Sequence, residues 1–320
     1  MKPMAIHHNF RRWIAIVVVF ALLVVGVPVL AKHVFAQEVP TTGLAISPPI
    51  FELSANPGDT LKNTLRLDNI TDSPIDITVS KRNFKALGEE GGIDLSEQES
   101  AYSLANWIEV KPGTATLGPR ESKTFEYTIT VPKNAEPGGR FGSIVFQTTA
   151  KPLSGQNGVA IAPELGALVF IKISGEVKEQ ASIASFGAQS GLNNKGPVNF
   201  DLRIKNEGNV QFKPTGTITI SNFFGKKVAT IPIDAQNVLP DATRKMTAKW
   251  DKSWLFGKYH ATLSVVYGND NQILTATTDF WGFPYQLAGI LLLGIAVVGL
   301  ALYPRRKRII RALRVLFGKE

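Results

Sequence analysis

The sequence predicts an all-β chain: two tandem immunoglobulin-like β-sandwiches, with an N-terminal signal or hydrophobic helix and a C-terminal transmembrane helix. Three observations carry that expectation. Apolar residues recur with a period of two through the middle of the chain. Turn residues interrupt those runs at roughly the 8–12-residue spacing of a sandwich. Two uncharged, strongly apolar stretches stand near the ends.

At the N-terminus, Arg11-Arg12 precede residues 13–31, which carry no charge, and Val34-Phe35-Ala36 then offers small residues before Gln37. That is the order of a secretory signal: basic start, apolar run, small-residue cleavage site. Residues 1–36 therefore read as a signal peptide or, if uncleaved, a signal anchor. Pro28 near the end of the apolar run favours cleavage.

Residues 37–179 read as the first sandwich. Ile75, Ile77 and Val79 alternate with polar residues, as do Phe125, Tyr127, Ile129 and Val131. Turns fall at Asn56-Pro57-Gly58-Asp59, Asp72-Ser73-Pro74, Gly118-Pro119 and Pro137-Gly138-Gly139. The nearly continuous apolar run from Leu168 to Ile173 predicts a central strand. Residues 85–106, which include Gly88-Glu89-Glu90-Gly91-Gly92, break the rhythm and read as a loop insertion, a usual place for recognition residues.

Residues 180–279 read as a second, membrane-proximal sandwich. Val198, Phe200, Leu202 and Ile204 alternate, Asn206-Glu207-Gly208-Asn209 turns the chain, and Tyr259 to Tyr267 alternates again before a hairpin at Gly268-Asn269-Asp270-Asn271. The order of Asn turn, Leu-Pro-type turn and Gly turn recurs in both sandwiches, as expected of distant copies of one plan.

Residues 280–304 hold no charge and in a helix would reach about 37 Å, enough for the roughly 30 Å core of a bilayer. Trp281, Phe283, Tyr285 and Tyr303 fit interfacial anchors. Arg305, Arg306, Lys307 and Arg308 open a basic tail, 305–320, that meets lipid head groups and by the positive-inside rule stays in the cytoplasm. The expected protein is single-pass in the cell membrane after signal cleavage, with both sandwiches outside.

The formal charge of +9 suggests a nucleic-acid partner only until it is located. Residues 1–36 carry +4, residues 281–320 carry +6, and the 244 between them carry −1. Basicity belongs to the membrane-flanking ends, so no nucleic acid is implied. Cysteine is absent, which removes disulfides and thiol chemistry. His260 is the one histidine outside the leader. No metal-ligand spacing, cofactor motif or nucleophile–base pattern stands out, and Asp68, Asp72, Asp270 and Asn271 fit Asx turns better than a calcium site. The chain reads as a non-enzyme without cofactor or metal.

The run Ile46-Ser-Pro-Pro-Ile-Phe-Glu-Leu53, with Asn56-Pro57-Gly58-Asp59, Leu65-Arg-Leu-Asp-Asn69, Val131-Pro132 and Pro137-Gly-Gly-Arg-Phe-Gly142, resembles the WxL-interacting surface proteins of Gram-positive bacteria. Asn222-Phe-Phe-Gly225, Leu239-Pro240 and Phe256-Gly-Lys-Tyr259 are similar to that family's second module, and the match covers most of residues 44–308. The resemblance implies a cell-surface adhesion or scaffold protein with a peptidoglycan-associated first domain. It supplies no binding residue. A weaker resemblance, to the first domain of periplasmic pilus chaperones, concerns fold alone.

Binding groups are sought among aromatic and basic residues near loops: Arg82, Phe84, Tyr102 and Trp107 around the insertion, and Trp250 and Trp254 in the second domain. The expected function is non-catalytic attachment to peptidoglycan or another surface protein, with the lipid bilayer as anchor. The rivals are a membrane-tethered chaperone or assembly factor for secreted surface or pilus subunits, working by β-augmentation, and a structural subunit of an envelope complex.

Overall fold

The computed structural model describes residues 43–96, 98–148 and 163–303. The leader and Arg305, Arg306, Lys307 and Arg308 lie outside the described residues. The first sandwich runs through β1 (Leu44–Ser47), β2 (Ile50–Ala55), β3 (Thr60–Asn69), β4 (Ile75–Leu87), β5 (Gly92–Ser96), β6 (Ile108–Lys111), β7 (Thr114–Leu117), β8 (Ser122–Thr130), β9 (Gly138–Thr148) and β10 (Glu164–Ile173). The second runs through β11 (Ala181–Ala188), β12 (Leu192–Asn193), β13 (Val198–Asn206), β14 (Thr215–Asn222), β15 (Lys227–Ile233), β16 (Thr243–Trp250), β17 (Gly257–Tyr267) and β18 (Gln272–Gly282). A helix, α1 (Tyr285–Leu302), follows.

In the first sandwich one sheet has the order β1-β3-β8-β6, and the other β2-β10-β9-β4-β5 with β7 also on β4. β1 and β2 are halves of one run that changes sheets: β1 pairs antiparallel with β3, β2 parallel with β10. Pro48 and Pro49 sit at the switch, where two residues without an N–H cannot continue a ladder. The predicted alternation is what fills the core. Leu65, Leu67, Phe125, Tyr127 and Ile129 from one sheet meet Ile144, Phe146, Val169 and Ile171 from the other. Burying one such side chain is worth about 1.5–3 kcal/mol.

The second sandwich has sheets β11-β13-β16 and β12-β18-β17-β14-β15. Val198, Phe200, Leu202 and Ile204 face Ile218, Ile220, Tyr259, Ala261, Leu263 and Val265. β18 runs to Gly282, past the predicted end of the strand. Phe280 is fully buried and stacked on Tyr259, and Gly282 still pairs with Gly257, so the register holds the chain in the sheet. The helix therefore begins at Tyr285 and not at 280.

At 18 residues α1 is about 27 Å long. Among the described residues no helix is long and apolar enough to cross a membrane. Its apolar residues, from Leu287 to Leu300, are nevertheless exposed on every face. A Cβ added at Gly289, Gly294 or Gly299 would meet nothing within 4 Å.

β9 is buried along almost its whole length. Ile144 and Phe146 point into the first core, whereas Phe141 points out of the sheet and into a further apolar cluster. That cluster lies between the two sandwiches.

Candidate functional site

On the outer face of the β2-β10-β9-β4-β5 sheet, Phe84 (β4), Phe141 (β9) and Phe170 (β10) form an aromatic triad with centroids 5.2–5.8 Å apart. Leu239 and Ala242 of the second sandwich pack on it. An apolar sheet face cannot stay wet without cost, so the second sandwich covers it.

Polar bonds fix the register of this seam. Residues 85–96, expected as part of a recognition loop, instead extend β4 and turn into β5, and the tip of that hairpin reaches the second sandwich. Glu89 accepts from Arg203 at 2.5 Å, Glu90 lies 3.5 Å from Lys245, and the Lys245 N–H donates to the Glu89 carbonyl at 2.8 Å. The insertion is thus a strut between sandwiches and not a free loop. Its acidic tip reads as solvent-facing in sequence because its partners lie more than a hundred residues away.

The elbow is held by Asn209. Its carbonyl accepts from Gly139, its Nδ2 donates to the Pro137 carbonyl, and its Oδ1 accepts from the linker residue Lys178. Gly138 has a φ of 129°, and a Cβ there would stand 2.8 Å from the Asn209 carbonyl oxygen. The Pro137-Gly138-Gly139 run is therefore a close approach of two domains as well as a turn.

Beside the triad the seam opens into a cavity of about 340 Å³, lined by Ile50, Ile93, Leu168 and Phe170 from the first sandwich and by Lys213, Asn237, Leu239 and Arg244 from the second. β2 borders it. No strand pairs with the outer edge of β2 among the described residues. Leu168 donates to the Pro49 carbonyl and Ser174 to that of Ala55, so the main-chain groups of Ile50, Glu52 and Ser54 are the ones aimed off the free edge. Ile50 is 48% exposed. Glu52 reaches across to Lys213 at 2.5 Å and Asn237 at 2.8 Å. Burial alone would raise the Glu52 carboxyl, but the bonds from Lys213 and Asn237 outweigh it and hold the group below its ordinary range.

The sequence-derived candidates separate on this geometry. Phe84 and Trp250 are buried, in the triad and in the second core, and neither offers a face to a ligand. Arg82 is taken up by a two-pronged pair with Glu164, at 2.9 and 3.0 Å. Tyr102 donates to Asp241 across the seam at 3.1 Å, and burial, then that carboxylate, push its hydroxyl up. Trp107 is half-buried, with the Arg140 guanidinium 5.8 Å from its ring centroid. Trp254 is exposed, at the end of the second sandwich that α1 leaves.

Sequence reading missed two features. Arg140 is buried on β9 and donates to the carbonyls of Gly139 and Glu136, and burial lowers its pKa. The second is the open edge of β2, for which Pro48-Pro49 inside an apolar run was the available signal.

No protein-family model matches the chain. No curated protein matches it either. Among solved structures, the Class 5 fimbriae chaperone CfaA aligns at a TM-score of 0.40 and 14% identity, over 73% of this chain and 98% of that one. The Pseudomonas aeruginosa CupB2 chaperone aligns at 0.35 and 9%, over 74% and 100%. The E. coli chaperone DraB aligns at 0.33 and 12%, over 74% and 94%.

Proposed function

We propose that this chain is a non-catalytic, membrane-anchored surface protein that holds an extended segment of another secreted or surface protein against β2, as a tethered assembly factor. One observation carries the reading: a strand edge that is unpaired among the described residues opens onto an apolar cavity walled by the second sandwich. An extended peptide gains main-chain bonds from such an edge and side-chain selectivity from the cavity. Glu52, Lys213 and Asn237 add a polar contact at the same place.

Wall polymer is the less favoured ligand. Carbohydrate needs exposed aromatic faces, and around the insertion Phe84, Tyr102 and Trp107 are buried, bonded across the seam or overlaid by Arg140, while the exposed Trp254 lies away from the first sandwich, at the end that α1 leaves. The surface address and the order of leader, two sandwiches, helix and basic tail are kept from the resemblance to WxL-interacting proteins.

The anchor is α1. A helix apolar on all sides needs a non-aqueous surrounding, and its aromatic ends suit two interfaces. Its roughly 27 Å lie under the roughly 30 Å of a hydrocarbon core, so α1 is read as embedded in the bilayer.

The test uses the full chain in lipid nanodiscs against an array of peptides from secreted surface proteins. Extended peptides should bind. Ser54→Pro removes an outward N–H without touching the bonds to β10, and Ile50→Asp puts a charge at the cavity mouth; both should abolish binding. Binding unchanged in both variants, or sedimentation with purified wall polymer and no peptide binding, overturns the reading.

A further inference from the structure

The second sandwich has two unlike ends. One carries Asn206, Leu239 and the 268–271 turn and faces the first sandwich. The other gathers the loop before β13, the β14–β15 turn, the loop between β16 and β17, and the exit of β18. The register places these together: Asn222 pairs with Tyr259, Gly257 with Gly282, and Leu192 with Trp281. Phe223, Phe224, Trp254, Phe256, Trp281 and Phe283 are all exposed there, Phe224 by 88%. Across the described residues every exposed aromatic lies at this end, in α1 or at Tyr303 just after it, whereas Ile50, Ile70, Leu87, Leu192 and Ile273 are the other exposed large apolar residues of the sandwiches.

From this end we infer that the aromatic rim of the second sandwich docks on an anionic lipid surface, with its rings in the interfacial layer. The inference rests on the reading of α1 as the anchor. Trp and Phe beside cationic residues are the chemistry of that layer, because one part of the ring seeks the acyl chains while the surroundings stay wet. The acids of this end are already matched, Asp251 with Lys249 and Asp279 with Lys258 and His260, each at 2.7 Å. Lys195, Lys226 and Lys227 have no carboxylate partner among the described residues, and basic side chains near the surface draw anionic lipid.

Continuity with the helix makes the rim commit to lipid. Trp281 and Phe283 donate to the carbonyls of Gly191 and Asn193, and Asn194 exchanges two hydrogen bonds with Gln286 at 2.7 and 3.1 Å. The first turn of α1 is therefore tied to the loop before β13. Wherever α1 enters a bilayer, the rim arrives with it.

The chain has no cysteine, so single cysteines can carry an environment-sensitive dye in the full chain, reconstituted into vesicles of phosphatidylcholine and phosphatidylglycerol containing nitroxide lipids. Dyes are placed at Phe224→Cys on the rim, Leu292→Cys in α1 and Asp270→Cys at the far end. Quenching is expected at 292 by deep nitroxides, at 224 by shallow ones, and not at 270. The 224 signal should weaken when phosphatidylglycerol is omitted and be lost when Phe223, Trp254 and Phe256 are changed to Ser together. Quenching at 292 with 224 behaving like 270 overturns the docking while leaving the anchor. No quenching at 292 overturns both. A 224 signal unchanged in the Ser variant means that the dye and not the rim found the lipid, and likewise overturns the docking.

Discussion

Asn69 and Asn206 make the same bonds in the two sandwiches. The Nδ2 of Asn69 donates to the carbonyls of Ser73 and Gly118, each at 2.8 Å, and its Oδ1 accepts the Thr71 N–H at 2.9 Å. The Nδ2 of Asn206 donates to Val210 at 2.8 Å and Val238 at 3.0 Å, and its Oδ1 accepts the Gly208 N–H at 2.9 Å. Each clamps its own turn to a proline-containing turn across the sandwich. In that second turn Arg120 and Asp241 both take left-handed φ, 57° and 60°. Both asparagines are buried, so the bonds act in a medium that punishes their loss.

Asn206→Ala should therefore lower stability by about 2–4 kcal/mol, because it leaves buried carbonyls and an N–H without partners. Asn222→Ala, in an exposed turn, should cost about 1 kcal/mol or less. Urea titration of the full chain in detergent reads both. Equal midpoints for the two variants would remove the clamp from the account.

These asparagines were legible as turn residues, and the shared order of turns as a repeat. The β-sandwich cores were legible too, since Phe125, Tyr127 and Ile129, or Phe200, Leu202 and Ile204, alternate with polar residues and one face is buried. What lies between the sandwiches was not. Phe141 and Phe170 sit in strands buried on both faces, where alternation disappears, and Glu89 shows its partner Arg203 only once the chain is folded. The open edge of β2 was hidden for a related reason: pairing is a property of the sheet, and Pro48-Pro49 signals it only indirectly.

Gly138→Ala tests the elbow. The substitution must hold an unfavourable φ and push against the Asn209 carbonyl, at a cost of about 1–3 kcal/mol. Gly113, where a Cβ would meet nothing within 4 Å, is the control and should accept Ala with little change. Hydrogen exchange should rise at 138–140 and 207–211 in the Gly138 variant alone. Protection equal to the parent at those amides would show that the elbow tolerates the side chain.

Leu239→Ala removes the cap on the Phe84–Phe141–Phe170 triad. The site is 8% exposed and lies between domains, so a loss of about 2–3 kcal/mol at the lower part of the core range is expected. The loss should fall on the seam, with faster proteolysis in the linker at 174–180 while each sandwich keeps its exchange-protected core. Unfolding of the second core at the same temperature as the seam would mean that Leu239 belongs to that core.

Acid should loosen the same seam through Glu52. Its ordinary pKa is near 4.5 and the folded value lies lower, since Lys213 and Asn237 stabilise the ionised form against the opposing effect of burial. A carboxyl depressed in this way binds fewer protons folded than unfolded, so its contribution is full above 4.5 and is lost as pH falls through the folded value. The pair is exposed by close to half on both sides, so solvent screening limits the effect to roughly 0.5 kcal/mol. Exchange at 50–54 and 235–239 should therefore rise modestly below pH 4.5 in the parent. Glu52→Gln should give the acid-like exchange already at neutral pH and lose the pH step. If the variant kept the step, another carboxyl would be its source.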